Sequence, residues 1–193
     1  PTAARVKLMK NLKLILKTKC KNILAAFFLI MLFTIFSSSV YALDVSAKSA
    51  ILICADSGAV IWSKNETDPM PMASTTKIMT SLLTLEYAAA HGNKEIEITP
   101  EMIRVEGTSM GLMQGDIVTL DSLAKGMLLC SGNDAANAAA IAVSGETEKF
   151  INLMNEKAKL LGMKDTKFST PSGLDKDNHH STAHDMALLG AYA

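Results

Sequence analysis

Proline and glycine are scarce in this 193-residue chain, at 5 and 11 residues, and apolar residues make up 49% against 20% charged. That balance excludes a disordered, collagen-like or low-complexity protein and fits one ordinary domain, or one domain behind a removable leader. Acidic residues are missing altogether from residues 1–42. Seven of the 19 basic residues lie there, which leaves 12 against all 19 acidic ones in 43–193, a net of −7. No basic stripe remains in that part, so nucleic acid is excluded as a partner. Cysteine is rare as well, at three. Cys20 lies in the opening segment, while Cys54 and Cys130 each sit inside an apolar run. They are expected as two buried thiols, with no disulfide implied. No internal repeat and no HExxH motif occur.

The opening segment has three parts: a lysine-rich stretch, an apolar run of 14 residues at 23–36, and the short residues 37–42 (SSSVYA). The run is shorter than the roughly 20 residues of a membrane-spanning helix. Val40-Tyr41-Ala42 suits a signal peptidase, so a leader cleaved after Ala42 is expected, with an uncleaved anchor as the alternative. Either places 43–193 outside the cytoplasm. Met9 opens a conventional leader, so residues 1–8 are expected to lie upstream of the true start. Ala193 falls inside a helical pattern, so the chain reads as the first part of a domain.

Residues 50–56 (AILICAD) and 59–63 (AVIWS) flank Ser57-Gly58 and predict a β-hairpin. Apolar residues then recur at helical steps over 74–90, ended by His91-Gly92, which predicts a central helix buried on most sides. A short strand is expected at 94–99, a brief helix after Pro100 and a loop over 110–116. Helices follow over 120–129, over 135–143 capped by Asp134, and over 148–161 capped by Thr147 and stopped by Gly162. Thr182, with Asp185 three residues on, caps a last helix.

Ser74 and Lys77 sit three apart at the head of the first helix, so their side chains share a face. Serine attacks only when something removes its proton, and lysine can do so only as the neutral amine. Burial and the positive end of a helix dipole both favour that form. Ser131 and Asn133 present a hydroxyl and an amide from a glycine-containing turn, suited to relaying a proton and holding an amide. Each motif alone is also an ordinary cap or turn.

Together, S-x-x-K and, 57 positions later, S-x-N resemble the penicillin-recognising serine enzymes, whose motif set is a known pattern. Residues 69–80 (PMPMASTTKIMT), 107–116, 128–136 and 172–186 (SGLDKDNHHSTAHDM) are similar to the serine D-alanyl-D-alanine carboxypeptidases, over about residues 47–193. The resemblance implies an α/β (α+β) fold of β-lactamase/transpeptidase type. In it an antiparallel sheet, incomplete here, is flanked by helices, with an all-helical subdomain over about 94–162. It implies Ser74 as the acylated nucleophile, Lys77 as its base, Ser131 as the proton relay and Asn133 as the binder of the substrate amide. The implied partners are peptidoglycan stem peptides ending in D-Ala-D-Ala, with β-lactams as covalent inhibitors and no metal or cofactor. Any hold on a membrane surface would come through a downstream segment.

The family's third motif, Lys-Thr/Ser-Gly, does not occur after Asn133. The 193 residues alone are therefore expected to be inactive and poorly folded. Three alternatives stand beside this reading. A class A-like β-lactamase would need a further glutamate, and Glu146, Glu148 and Glu156 lie in or beside a scaffold-like helix. A metal enzyme would draw on His179, His180 and His184 with Asp175, Asp177 and Asp185. A non-catalytic exported domain would bind cell-wall peptides with Ser74 idle. The twelve methionines read as core filler.

Overall fold

Strands β1 (Ala50–Ile53) and β2 (Val60–Lys64) pair antiparallel with Ala50 opposite Lys64, and Gly58 turns between them at φ 69°. The hairpin signal thus holds, with a shift of register between Leu52 and Ile53. The computed structural model describes residues 45–174 and 178–193, together with Lys19, Lys21 and Ile23, which are helical. The leader, its cleavage after Ala42, Cys20, Asp175 and Asp177 lie outside the described residues. Among the described residues no helix is long and apolar enough to cross a membrane.

A single 3-10 turn, Ala73–Thr76, leads into helix α1 (Lys77–His91), which Gly92 ends at φ 92°. Helices α2 (Leu120–Cys130), α3 (Asn133–Ser144), α4 (Thr147–Leu160) and α5 (Ala183–Tyr192) all pack against α1, so its central place is as expected. Its buried face is only partly the expected apolar one: Met79 is fully buried, but polar residues share that face. Thr76, Lys77, Thr80, Ser81 and Thr84 are buried, whereas Leu82 and Leu83 are half-buried and Leu85 is 40% exposed. Each hydroxyl finds a partner inside. Thr80 Oγ1 donates to Pro171 O at 2.6 Å, Thr84 Oγ1 to Thr80 O at 2.7 Å, and Ser81 Oγ to the Met127 sulfur at 3.8 Å. Satisfied hydroxyls can be buried without the desolvation penalty that apolar periodicity takes for granted.

The strand expected near residue 94 forms as β3 (Glu95–Glu97) and pairs antiparallel with β4 (Ile117–Thr119). Three residues are too few to show alternation, so β4 has no sequence signature, and residues 94–162 are not all-helical. The helix expected after Pro100 is only a turn, closed by Met102 N–H donating to Thr99 O at 3.1 Å. Thr182 caps α5 as expected, its hydroxyl accepting from Asp185 N–H. Two other caps fail. Asp134 lies inside α3 and turns to a loop, and Thr147 Oγ1 donates to Asn137 Oδ1 at 3.2 Å instead of capping α4.

Two apolar clusters form the core. Met79, Phe150, Met154, Phe168 and Leu189 fill one; Ile98, Leu123 and Met127 fill the other. Ala140 joins the first and Ala135, Ala136, Ala138 and Ala139 the second, so α3 serves both, its small side chains letting neighbours approach closely. Cys54 and Cys130 are free thiols as expected, but neither is buried: Cys54 is half-buried and Cys130 exposed. The apolar run around Cys130 ends α2 on its outer side, where Leu129 is 83% exposed.

Candidate active site

Ser74 lies in the 3-10 turn, where residues three apart eclipse, so its side chain stands directly over that of Lys77. Ala73, just before it, has φ 44°, a strained value for a residue with a Cβ. The serine is exposed while Lys77 is 1% exposed. Lys77 Nζ donates to Ser172 O at 2.8 Å, to Ser74 Oγ at 3.1 Å and, more weakly, to Ser131 Oγ at 3.4 Å. No carboxylate pairs with it among the described residues, and burial pushes its pKa below the ordinary lysine range. A neutral amine has two N–H groups and one lone pair. With one N–H held by the Ser172 carbonyl, the lone pair is free to take the Ser74 proton.

The second hydroxyl comes from the end of α2. Ser131 has φ 56° and ψ 32°, and that left-handed turn brings its Oγ to 2.9 Å from Ser74 Oγ, to which it donates. Asn133, 4% exposed, opens α3. Its N–H donates to Thr108 O at 2.7 Å and its Nδ2 to Glu106 O at 2.7 Å. Ser74, Lys77 and Ser131 therefore converge, and Asn133 stands beside them with its amide nitrogen turned to the 106–108 segment.

A third segment completes the floor, and residue types alone do not announce it. Pro171 and Ser172 contribute main-chain oxygens to Thr80 and Lys77. A Cβ on Gly173 would lie 1.9 Å from Ala73 O and 2.9 Å from Thr76 Oγ1, so only glycine lets this loop close on the nucleophile turn. His179 ties the two together. Its Nδ1 accepts from Ser169 N–H at 3.0 Å, which leaves the proton on Nε2 to donate to Thr76 Oγ1 at 2.8 Å. That use of both ring nitrogens removes His179 from the metal reading. His184 Nδ1 lies 3.3 Å from Asp185 Oδ1, and Asp185 Oδ2 accepts from Asp165 N–H and Thr166 Oγ1. No three metal-ligating side chains cluster among the described residues.

Known proteins share this arrangement of elements. The model of a family described as D-alanyl-D-alanine carboxypeptidase matches residues 36–193. The D-alanyl-D-alanine carboxypeptidase DacF of Bacillus subtilis is 40% identical over 146 residues, covering 74% of this chain and 38% of its own length. The chain thus spans about two fifths of the length of the curated relatives it matches. Among solved structures, the D-alanyl-D-alanine carboxypeptidase DacD of Francisella tularensis superposes with a TM-score of 0.75 at 34% identity, over 78% of this chain and 37% of that one. Penicillin-binding protein D2 of Listeria monocytogenes, solved in its cefotaxime-bound form, gives 0.68 at 29% identity, over 78% of this chain and 63% of that one.

Proposed function

The chain belongs to the D-alanyl-D-alanine carboxypeptidase family, and on that premise we propose that the protein removes the terminal D-alanine from peptidoglycan stem peptides through an acyl-enzyme on Ser74. The observation that carries the reading is the Ser74 hydroxyl held 3.1 Å from a buried lysine amine and 2.9 Å from a second serine hydroxyl.

Neutral Lys77 takes the Ser74 proton as Oγ bonds to the carbonyl carbon of the terminal peptide bond. The proton passes through Ser131, which touches both Ser74 Oγ and Lys77 Nζ, to the nitrogen of the departing D-alanine as the C–N bond breaks. Asn133 binds the substrate's amide, since only one of its two Nδ2 hydrogens is held by Glu106 O. Water then attacks the ester, Ser74 leaves with its proton restored, and the shortened peptide departs as a carboxylate. β-Lactams acylate the same hydroxyl, a reading supported by the cefotaxime-bound relative. The downstream strand of the family pattern would close the cleft on the side facing Ser74. The leader that opens at Met9 and ends at Ala42 exports the enzyme from the cytoplasm, with Leu43 as its first mature residue.

A fluorescent penicillin tests this on the full-length protein. A long-lived adduct is expected on the unsubstituted protein and none on Ser74→Ala. Rapid release of the label would indicate a β-lactamase, and no adduct on either would indicate a binding module. Acylation should rise with pH as Lys77 loses its proton, so a flat rate between about pH 5 and pH 9 would remove Lys77 from the role of base.

A further inference from the structure

Asp134 sits one residue beyond Asn133, 3% exposed, and makes no contact with Ser74 or Lys77. All but one of its hydrogen bonds go to a single loop. Oδ2 accepts from Ser109 Oγ at 2.6 Å and from Gly111 N–H and Leu112 N–H at 3.1 Å. Oδ1 accepts from Met110 N–H at 2.9 Å and from Ala135 N–H, in its own helix, at 2.9 Å. Burial pushes its pKa up, but the bonds from Ser109, Met110, Leu112 and Ala135 outweigh that and leave it below the ordinary range.

The loop needs such an anchor. Residues 106–112 belong to no helix or strand, and Gly107 and Gly111 take positive φ values of 92° and 91°. Three consecutive N–H groups, on Met110, Gly111 and Leu112, end on one carboxylate. The near end of the same loop grips the serine turn. Thr108 Oγ1 donates to Ser131 O at 2.6 Å, and Glu106 O and Thr108 O accept from Asn133. No slack separates loop and turn. A Cβ on Gly107 would lie 2.5 Å from Asn133 Nδ2, and one on Gly132 would lie 2.8 Å from Asp134 Oδ1 and 3.1 Å from Met110 N. Ser131 holds a left-handed conformation that a serine adopts only when its surroundings impose it.

From this arrangement we infer that Asp134 is a positioning residue for acylation: its carboxylate holds the 106–112 loop, and the loop holds Ser131 against Ser74. The inference rests on the acyl-transfer reading above. Asparagine at 134 would put an N–H₂ where Oδ2 now accepts three donors, so the loop would lose its anchor with almost no change of volume.

The test is the rate of acylation by a fluorescent penicillin in the full-length protein, counted per titratable site so that unfolded material does not enter. Asp134→Asn should slow acylation about tenfold, as expected for loss of hydrogen bonds to a charged group. In a Ser131→Ala background the same change should slow it no further, because the hydroxyl it positions is gone. Thr108→Val, at an exposed side chain, should slow acylation about threefold and be silent in the same background. It decides the matter if Asp134→Asn does not fold. A wild-type rate in Asp134→Asn overturns the inference. So does an equal loss with and without Ser131, which is what a merely structural role would give. No adduct on the unsubstituted protein would refute the acyl-transfer reading itself, a result distinct from either of these.

Discussion

Helix α1 meets a lysine near each end, and their pKa values are shifted in opposite directions. Lys77, its first residue, is buried among three neutral oxygens, from Ser74, Ser131 and Ser172, and burial lowers its pKa. Lys157, on α4, reaches across to Glu86 near the far end of α1 at 2.7 Å and lies over the Tyr192 ring at 5.1 Å. Its hydrogen bond to Glu86 raises its pKa against the opposing effect of burial. Both amines lose water, but among the described residues only Lys157 gains a carboxylate. A lysine's readiness to act as a base is therefore set by whether the groups replacing its water carry negative charge.

The two differ in sign when pH changes. The folded pKa of Lys77 lies below its unfolded value, so between the two the unfolded state binds more protons and stability rises with pH. The folded pKa of Lys157 lies above its unfolded value, so its stabilisation is complete below the ordinary lysine range and is lost as pH climbs through the raised value.

The strongest way to break the contrast is Lys77→Ala, which should slow penicillin acylation by at least about 100-fold and abolish its rise with pH. A loss under tenfold, read by rapid mixing, would mean that another group takes the Ser74 proton. Gly173→Ala is next. Its Cβ would enter the Ala73 carbonyl and its φ of 85° suits no side chain, so the loop must withdraw and take the Ser172 oxygen from Lys77. Urea unfolding should show a loss of about 2–4 kcal/mol, with slower acylation alongside. Unchanged stability would show that the loop has room to spare. The mildest is Glu86→Gln, at a partly exposed pair, costing about 0.5–1 kcal/mol after screening and leaving acylation unchanged. Titration of labelled lysine ε-carbons should place Lys77 below and Lys157 above the ordinary range, with only Lys157 moving in Glu86→Gln.

Features that depend on near neighbours were readable in advance. The Ser74/Lys77 spacing, the hairpin around Gly58, the helix ended by Gly92 and the Thr182 cap each arise within a few residues. Features that depend on which surface meets which were not. Asp134 has the composition of a cap and serves as a loop anchor, because the 109–112 segment lies across from it. Cys130 sits in an apolar run and is exposed, because a run does not say which of its sides finds a neighbour. The oxygens of Pro171 and Ser172 are main-chain atoms, and any residue type would carry them.

By itself, then, the order of amino acids determined that a hydroxyl and an amine would stand one turn apart at the head of a helix. Helical geometry is short-ranged and needs nothing else. Only the tertiary structure decided that this amine would be dry, within reach of Ser131 and, among the described residues, without a carboxylate partner. Loss of solvent and the charge of surrounding groups come from segments 54 and 95 positions away, which meet Lys77 only when the chain has folded.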